Sequence, residues 1–194
     1  SPVSFLKDGI SFAHSGKEIK NHDGSENHPF VVWNMKFVKS NKDVHVSGLN
    51  GNKSVYSYLS GNEPSKWIIH PDEFTRLKYQ SVFENIDLFF YGTGNSLKYD
   101  FIVHKDGNIN SIKSFYEGVE KILINKNGEL EISTLYNTQI QRKPVAWQII
   151  NGIKKSIAVN YILLNDSTFG FEAPFGFNPD YDLRGQTAQL LAQM

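Results

Sequence analysis

The segment Asn85–Val103, NIDLFFYGTGNSLKYDFIV, places two β-rich runs on either side of a Thr-Gly-Asn turn. β-Branched and aromatic residues that alternate with polar ones and meet at Gly or Asn read as a β-hairpin. With the turn centred on Thr93-Gly94, Gly92 faces Asn95, Tyr91 pairs with Ser96, Phe89 with Lys98 and Asp87 with Asp100. Strand side chains alternate between faces, so Leu88, Phe90, Leu97, Tyr99, Phe101 and Val103 share one nearly all-apolar face that must be the core side. The opposite face collects Asp87, Phe89, Tyr91, Lys98 and Asp100. A three-residue turn would slip the register by one and set Asp100 against Leu88 instead.

The rest of the chain is written in the same pattern. Val3–Leu6 and Ile10–Ala13 flank Lys7-Asp8-Gly9, and Pro29–Lys39 is the longest early strand, followed by Asp43–Leu49. Ser54–Leu59, Ile68-Ile69 and Thr75–Gln80 precede the hairpin. After the turn Lys105–Asn108 come Lys121–Asn125, Glu129–Thr134, Gln139–Arg142, Val145–Ile150, Ile153–Leu164 and Phe169–Ala173. Asn-Gly, the strongest short hairpin signal, occurs at Asn127-Gly128 and Asn151-Gly152. No helix of ten residues is expected before Gly185, and no fixed-period repeat is present. About a dozen short strands predict an all-β fold, an antiparallel two-sheet β-sandwich, jelly-roll-like or related, with little or no helix. Residues 1–183 read as a single domain in which 1–28 form a peripheral hairpin and a mobile polar loop. Residues 184–194, RGQTAQLLAQM, lean toward helix and read as a tail, a cloning remnant or a cut at a domain boundary.

Composition limits the chemistry. A chain of 194 residues with 14 Phe, 9 Tyr and 3 Trp can build a substantial core. Its 20 basic and 20 acidic residues balance, so no nucleic-acid partner is expected. No apolar run approaches the ~20 residues of a membrane span, and no membrane insertion is expected. The opening SPVSFLKDG lacks a charged region followed by an apolar stretch, so no signal peptide is expected within it. The absence of cysteine removes disulfides, thiolate nucleophiles and Cys-ligated zinc. There is no Gly-x-Ser-x-Gly elbow and no glycine-rich loop leading into a helix.

The aspartate pair is the sharpest chemical feature. Opposed strand residues have Cβ atoms about 4.5–5.5 Å apart, where like charges repel. Asp87 and Asp100 therefore need a cation, a shared proton, or partners among Lys98, Arg76 and Lys78. Three readings follow: a structural ion network, a Ca²⁺ site on Asp87 and Asp100, or a catalytic carboxylate pair of the glycosidase kind. The first is preferred, with no cofactor. Trp33, Trp67, Trp147, Tyr56, Tyr58, Tyr79 and Tyr116 are candidate sugar-stacking surfaces against a default of core packing. Trp67, after the Pro-containing loop GNEPSKW, is the best exception. His22 and His28, with Asp23 and Glu26, form the one local histidine cluster.

Four segments carry a family resemblance: Gly61/Ser65/Trp67, Tyr79–Gly92, Leu97–Phe101 and Pro144–Gln148. They resemble the G-x-x-x-S-x-W, Y-x-x-(V/L)-(Y/F)-x-x-I-D-L-x-(F/Y)-Y-G, L-E-Y-D-F and P-x-x-x-Q segments of a domain of unknown function found near the N-terminus of large exported proteins of Bacteroidota. The resemblance spans about residues 55–183. It implies a secreted or cell-surface location upstream of β-rich repeats and a C-terminal sorting domain, and no known activity. Two departures stand out. Lys98 replaces the usual acidic residue, which weakens any metal site. The family's acidic-proline continuation after Leu183 gives way to RGQTAQLLAQM.

The expectation is a non-catalytic structural or adhesion module whose partners are neighbouring domains of its parent protein, a polysaccharide or a surface protein. A carbohydrate-binding module is the alternative. A polysaccharide-active enzyme using Asp87 and Asp100 is the third reading. Candidate ligand-binding residues are Trp67, Asp87, Tyr91, Lys98 and Asp100.

Overall fold

The computed structural model describes residues 3–15, 19–20, 26–27, 29–53, 65, 72–93 and 96–190. Every paired strand is antiparallel, and no α-helix occurs among the described residues. The chain runs through β1 (Val3–Leu6), β2 (Gly9–Ser15), the short β3 (Ile19–Lys20) and β4 (Glu26–Asn27), β5 (Phe30–Phe37), β6 (His45–Leu49), β7 (Asn52–Lys53) and β8 (Asp72–Glu73). It continues with β9 (Arg76–Phe83), β10 (Ile86–Thr93), β11 (Ser96–Val103), a 3-10 turn at Ile109–Ser111, β12 (Lys113–Glu117), β13 (Lys121–Ile124), β14 (Leu130–Ser133) and β15 (Thr138–Gln141). The last strands are β16 (Val145–Ile150), β17 (Ile153–Ile157), β18 (Asn160–Leu163), β19 (Thr168–Glu172) and β20 (Leu183–Leu190).

Two sheets face each other, as the alternation predicts. The smaller has the order β1-β2-β5-β12-β19-β18. The larger runs β13-β14-β15-β20-β11-β10-β9-β6, with the β16–β17 hairpin also joined to β20. Between them lies an aromatic core. Trp33 stacks on Phe12 at 4.0 Å and meets the edge of Tyr116 at 5.6 Å. Phe90 touches Tyr79 and Tyr99, and Phe101 packs on Phe171 at 5.1 Å. Burying each such side chain stabilises the fold by about 1.5–3 kcal/mol. The six apolar residues assigned to the inner face of the hairpin are all buried.

Three local expectations are corrected. The run Ile153–Leu164 is two strands, not one: β17 extends the larger sheet and β18 edges the smaller, with Ala158-Val159 crossing between them. Lys113–Glu117, outside every expected strand, is the fourth strand of the smaller sheet, where Ser114 and Tyr116 alternate inward. The helix-leaning segment after Gly185 is the strand β20, central in the larger sheet. It gains a neighbouring strand on both sides, and sheet pairing overrides weak helix propensity. Within the loop expected at 15–28, Ile19 pairs with Asn27 and Lys20 with Glu26. The expected strands Ser54–Leu59 and Ile68-Ile69 lie outside the described residues.

β20 pairs with β11 along its full length, from Val103–Leu183 to Ser96–Leu190. On its other side it pairs first with β16 and then with β15. The change of partner falls at Arg142–Pro144, where proline supplies no N–H to the ladder. The Arg142 carbonyl instead accepts from Thr187 Oγ1 at 3.1 Å and from the Tyr161 hydroxyl at 2.9 Å.

Candidate functional site

The central hairpin has its expected faces but not its expected register. Thr93 pairs with Ser96, Tyr91 with Lys98, Phe89 with Asp100 and Asp87 with Ile102. This pairing leaves Gly94-Asn95, rather than Thr93-Gly94, between the two strands. Gly-Asn is a favoured two-residue hairpin pair, whereas Thr-Gly would put a β-branched residue where φ > 0 is wanted. The shift is two residues, so every side chain keeps its face, and it adds the apolar pair Ile86–Val103. The two aspartates are therefore not opposed, and each has its own partners.

Asp87 is 6% exposed. Its Oδ1 accepts from Ser81 N at 2.7 Å, and its Oδ2 lies 2.9 Å from Lys78 Nζ and 3.4 Å from His104 Nε2. Burial alone would push this carboxyl up, but Ser81 N–H, Lys78 and His104 outweigh it and hold the carboxyl below its ordinary value. The bond to Ser81 fixes an irregularity. Between Ile86 and Leu88 the β9–β10 ladder slips, and Ser81 takes the left-handed conformation at φ 51°. The aspartate of the I-D-L segment is thus a backbone clamp for a β-bulge.

Asp100 belongs to a second cluster on the outer face. Arg76 Nη2 is 2.7 Å from its Oδ2, and its Oδ1 accepts from Tyr91 Oη at 3.0 Å and Gln186 Nε2 at 3.2 Å. The Arg76 guanidinium lies over the Phe89 ring at 4.4 Å and near Tyr91 at 5.2 Å, a cation–π arrangement. Burial first, and the Asp100 carboxylate second, push the Tyr91 hydroxyl above its ordinary value. Lys98 faces Tyr91 across the ladder and makes no ion pair among the described residues. Of the three expected cationic partners, Arg76 and Lys78 are the ones used. No group of three or more His, Asp or Glu side chains among the described residues is arranged to hold a metal ion.

Trp67, Tyr56, Tyr58 and the side chains of His22 and His28 lie outside the described residues. Trp33, Tyr79 and Tyr116 are core side chains. Trp147 is half-buried on the outer face of the larger sheet, with Lys154 Nζ 4.1 Å above its ring.

Two features escape the reading of motifs. The first is a buried polar cluster between the sheets. Tyr116 Oη donates to Gln141 Oε1 at 2.9 Å, Gln141 Nε2 bonds Tyr99 Oη, and Tyr161 Oη sits 2.5 Å from Thr187 Oγ1. Burial pushes all three hydroxyls well above their ordinary value. Gln139 and Gln141 stand opposite the buried Ile132 and Leu130, so two glutamines in phase with an apolar face were the available signal.

The second is a groove at one end of the sandwich. There the β5–β6, β9–β10, β11–β12 and β19–β20 connections converge, because Phe37–Ser114, Ile86–Val103 and Val103–Leu183 pair at strand ends and Lys113, which opens β12, pairs with Gly170 two residues before β19 ends. Three hollows of about 530, 340 and 460 Å³ lie there. The first two share Asn108 and Asn110 as walls, and the last two share Lys39, Phe83 and Glu84. Lys39, Ser81 and Asn85, which line the 460 Å³ hollow, have φ of 57°, 51° and 55°. Left-handed backbone at residues such as Lys and Ser costs on the order of 1–3 kcal/mol each and persists where surrounding structure enforces it. Asp87 supplies part of that enforcement at Ser81.

The family described as "Domain of unknown function (DUF7948)" matches residues 2–184. The chain belongs to this family. No curated protein and no solved structure matches it. The DUF7948 match takes in both hairpin carboxylates with their cationic partners, the groove and the start of β20, and ends short of Gln186. Within the matched residues, the hydrogen bonds of Gln148 give the late P-x-x-x-Q segment a physical role. Gln148 is 1% exposed, donates from Nε2 to Asn178 O at 2.7 Å and Tyr181 O at 2.8 Å, and accepts from Asn178 N at 2.9 Å. One buried amide thereby pins the loop between β19 and β20.

Proposed function

We propose that this DUF7948 chain is a non-catalytic adhesion and structural module of a secreted or surface-displayed bacterial protein. The observation that carries the reading is the engagement of both hairpin carboxylates. Asp87 clamps a bulge, and Asp100 is saturated by Arg76, Tyr91 and Gln186. A general acid needs a carboxyl raised toward the working pH, whereas Asp87 is held below its ordinary value. The extracellular setting rests on the Tyr79–Gly92, Leu97–Phe101 and Pro144–Gln148 segments and what their resemblance implies. Neighbouring domains and surface polymers are the proposed partners. A carbohydrate-binding role is the second reading, favoured by the polar groove at the sandwich end.

The test has two arms. The purified chain is assayed for turnover of glycoside, ester and peptide substrates beside Asp100→Asn, and beads coated with it are scored for attachment to bacterial and host cell surfaces. Attachment without turnover is expected. Turnover that disappears in a folded Asp100→Asn variant refutes the reading.

A further inference from the structure

We propose that the groove at the end of the sandwich binds a neutral polysaccharide chain. This names the ligand for the adhesion reading and rests on it. Hydrogen-bonding capacity distinguishes the groove from the outer sheet face. On that face Asp87, Asp100, Tyr91 and Gln186 are consumed by partners within the protein. In the groove the side chains of Lys39, Glu84, Asn85, Asn110, Lys113 and Glu172 make no hydrogen bond or ion pair among the described residues, yet they line the adjoining hollows.

The chemistry of that set selects the ligand. Side-chain amides present both a donor and an acceptor, matching sugar hydroxyls that are themselves both. Two lysines and two glutamates balance, so the groove offers no net field to attract a polyanion or a polycation. Pro174 and Phe177 border the hollow of Asn108 and Asn110 and offer apolar surface to the C–H face of a sugar ring. Each hollow falls within the ~300–1,000 Å³ typical of small-ligand sites, and the shared walls favour an extended chain over a compact molecule.

A peptide fits less well. Strand addition needs free backbone groups, but these wall N–H groups are used internally: Gly107 N donates to His104 O, Ser111 N to Asn108 O, Asn41 N to Val82 O and Asn110 N to Asn108 Oδ1. Recognition here falls to side chains held on fixed loops. The left-handed backbone at Lys39, Asn85 and Ser81, the last of them held by the Asp87 clamp, shapes one wall.

The experiment is affinity electrophoresis and calorimetry of the full chain against neutral polymers (β-glucan, mannan, xylan, galactan), acidic polymers (alginate, polygalacturonate) and an unstructured peptide mixture. Asn110→Ala/Glu172→Ala is the groove variant, and Trp147→Ala is the outer-face control. Melting temperatures and circular dichroism establish that both fold. At least one neutral polymer is expected to bind, at least tenfold more weakly to the groove variant and unchanged with Trp147→Ala. Binding lost only with Trp147→Ala, binding of acidic polymers or peptides alone, or no binding by any polymer overturns the inference. Bead attachment that survives Asn110→Ala/Glu172→Ala removes the groove while leaving the adhesion reading intact, whereas beads that attach to nothing remove the adhesion reading itself.

Discussion

Replacing Gln148 tests how the β19–β20 loop is held. The side chain makes three hydrogen bonds to the backbone of Asn178 and Tyr181 from a fully buried position. Gln148→Leu keeps the volume but deletes all three. Each is worth about 1 kcal/mol net, so the upper expectation is roughly 3 kcal/mol. Asn178 and Tyr181 are only half-buried, so part of the loss is recovered by hydration, leaving about 2 kcal/mol. Gln148→Glu is more telling. The new carboxyl can still accept from Asn178 N but faces two carbonyl oxygens, so its ionised form is disfavoured and its pKa rises above the ordinary ~4.3 of Glu. A group whose pKa is raised on folding destabilises progressively as pH climbs through that window, by about 1.36 kcal/mol for every tenfold gain in proton affinity. Urea unfolding followed by tryptophan fluorescence at pH 5 and pH 8 measures both effects. The penalty of Gln148→Glu is expected to be at least 1 kcal/mol larger at pH 8, and that of Gln148→Leu to be the same at both. A Gln148→Leu variant within about 0.5 kcal/mol of wild type, or a pH-independent Gln148→Glu penalty, refutes the clamp.

Three further outcomes follow from other parts of the fold. Asp87→Asn is expected to cost roughly 1.5–3 kcal/mol at neutral pH, the worth of charge-assisted hydrogen bonds. Because the Asp87 carboxyl is held low, its contribution is fully present above the ordinary carboxylate value and is lost as pH falls through its folded value, so the two unfolding curves should converge on acidification. A gap that widens in acid contradicts this. Gly185→Ala would bring a Cβ to 1.9 Å from Phe101 Cζ. An overpacking penalty of about 1–3 kcal/mol should lower the melting temperature by several degrees, and an unchanged value excludes the packing. In ultraviolet alkaline titration Tyr99, Tyr116 and Tyr161 should stay protonated beyond the ordinary ~10 of tyrosine. Their raised folded values mean that stability is complete below that pH and falls as pH rises further, so their ionisation should coincide with loss of circular dichroism. Smooth titration of all 9 tyrosines in a folded chain would be inconsistent with the buried cluster.

Period-two alternation made the sandwich legible, because the face of each strand is a local property of the chain. Faces survive a two-residue slip, so Leu88, Phe90, Tyr99 and Phe101 were placed inward, and Arg76 and Lys78 were named as cationic partners, while the cross-strand neighbours of Asp87 and Asp100 were misassigned. Pairing depended on whether Thr93-Gly94 or Gly94-Asn95 turned, a choice between adjacent dipeptides. β12 went unread because Lys113–Glu117 offers only one strongly apolar inward residue, Tyr116, beside Ser114. β20 was missed for a different reason. RGQTAQL has no apolar alternation, since Gly185 and Thr187 serve as its inward residues. Small inward side chains make room for Phe101 from the neighbouring β11 and for Tyr161 from β18 of the facing sheet, a requirement visible only once those strands are brought together. The groove has no sequence signature at all, being assembled from four loops far apart in the chain.

The position of β20 carries a consequence for how the chain is made. A strand from the far end of the sequence occupies the interior of the larger sheet, joining β11 on one side to β15 and β16 on the other. Until residue 190 has been synthesised and delivered, those three strands present bare edges, the arrangement most prone to mispair with another molecule. Assembly is therefore back-loaded. The hairpins can form as they emerge, but the larger sheet closes in one late, long-range step of the slow kind that high contact order imposes. A chain arrested or cleaved short of this strand would be left with its larger sheet in three unjoined pieces rather than as a slightly smaller domain.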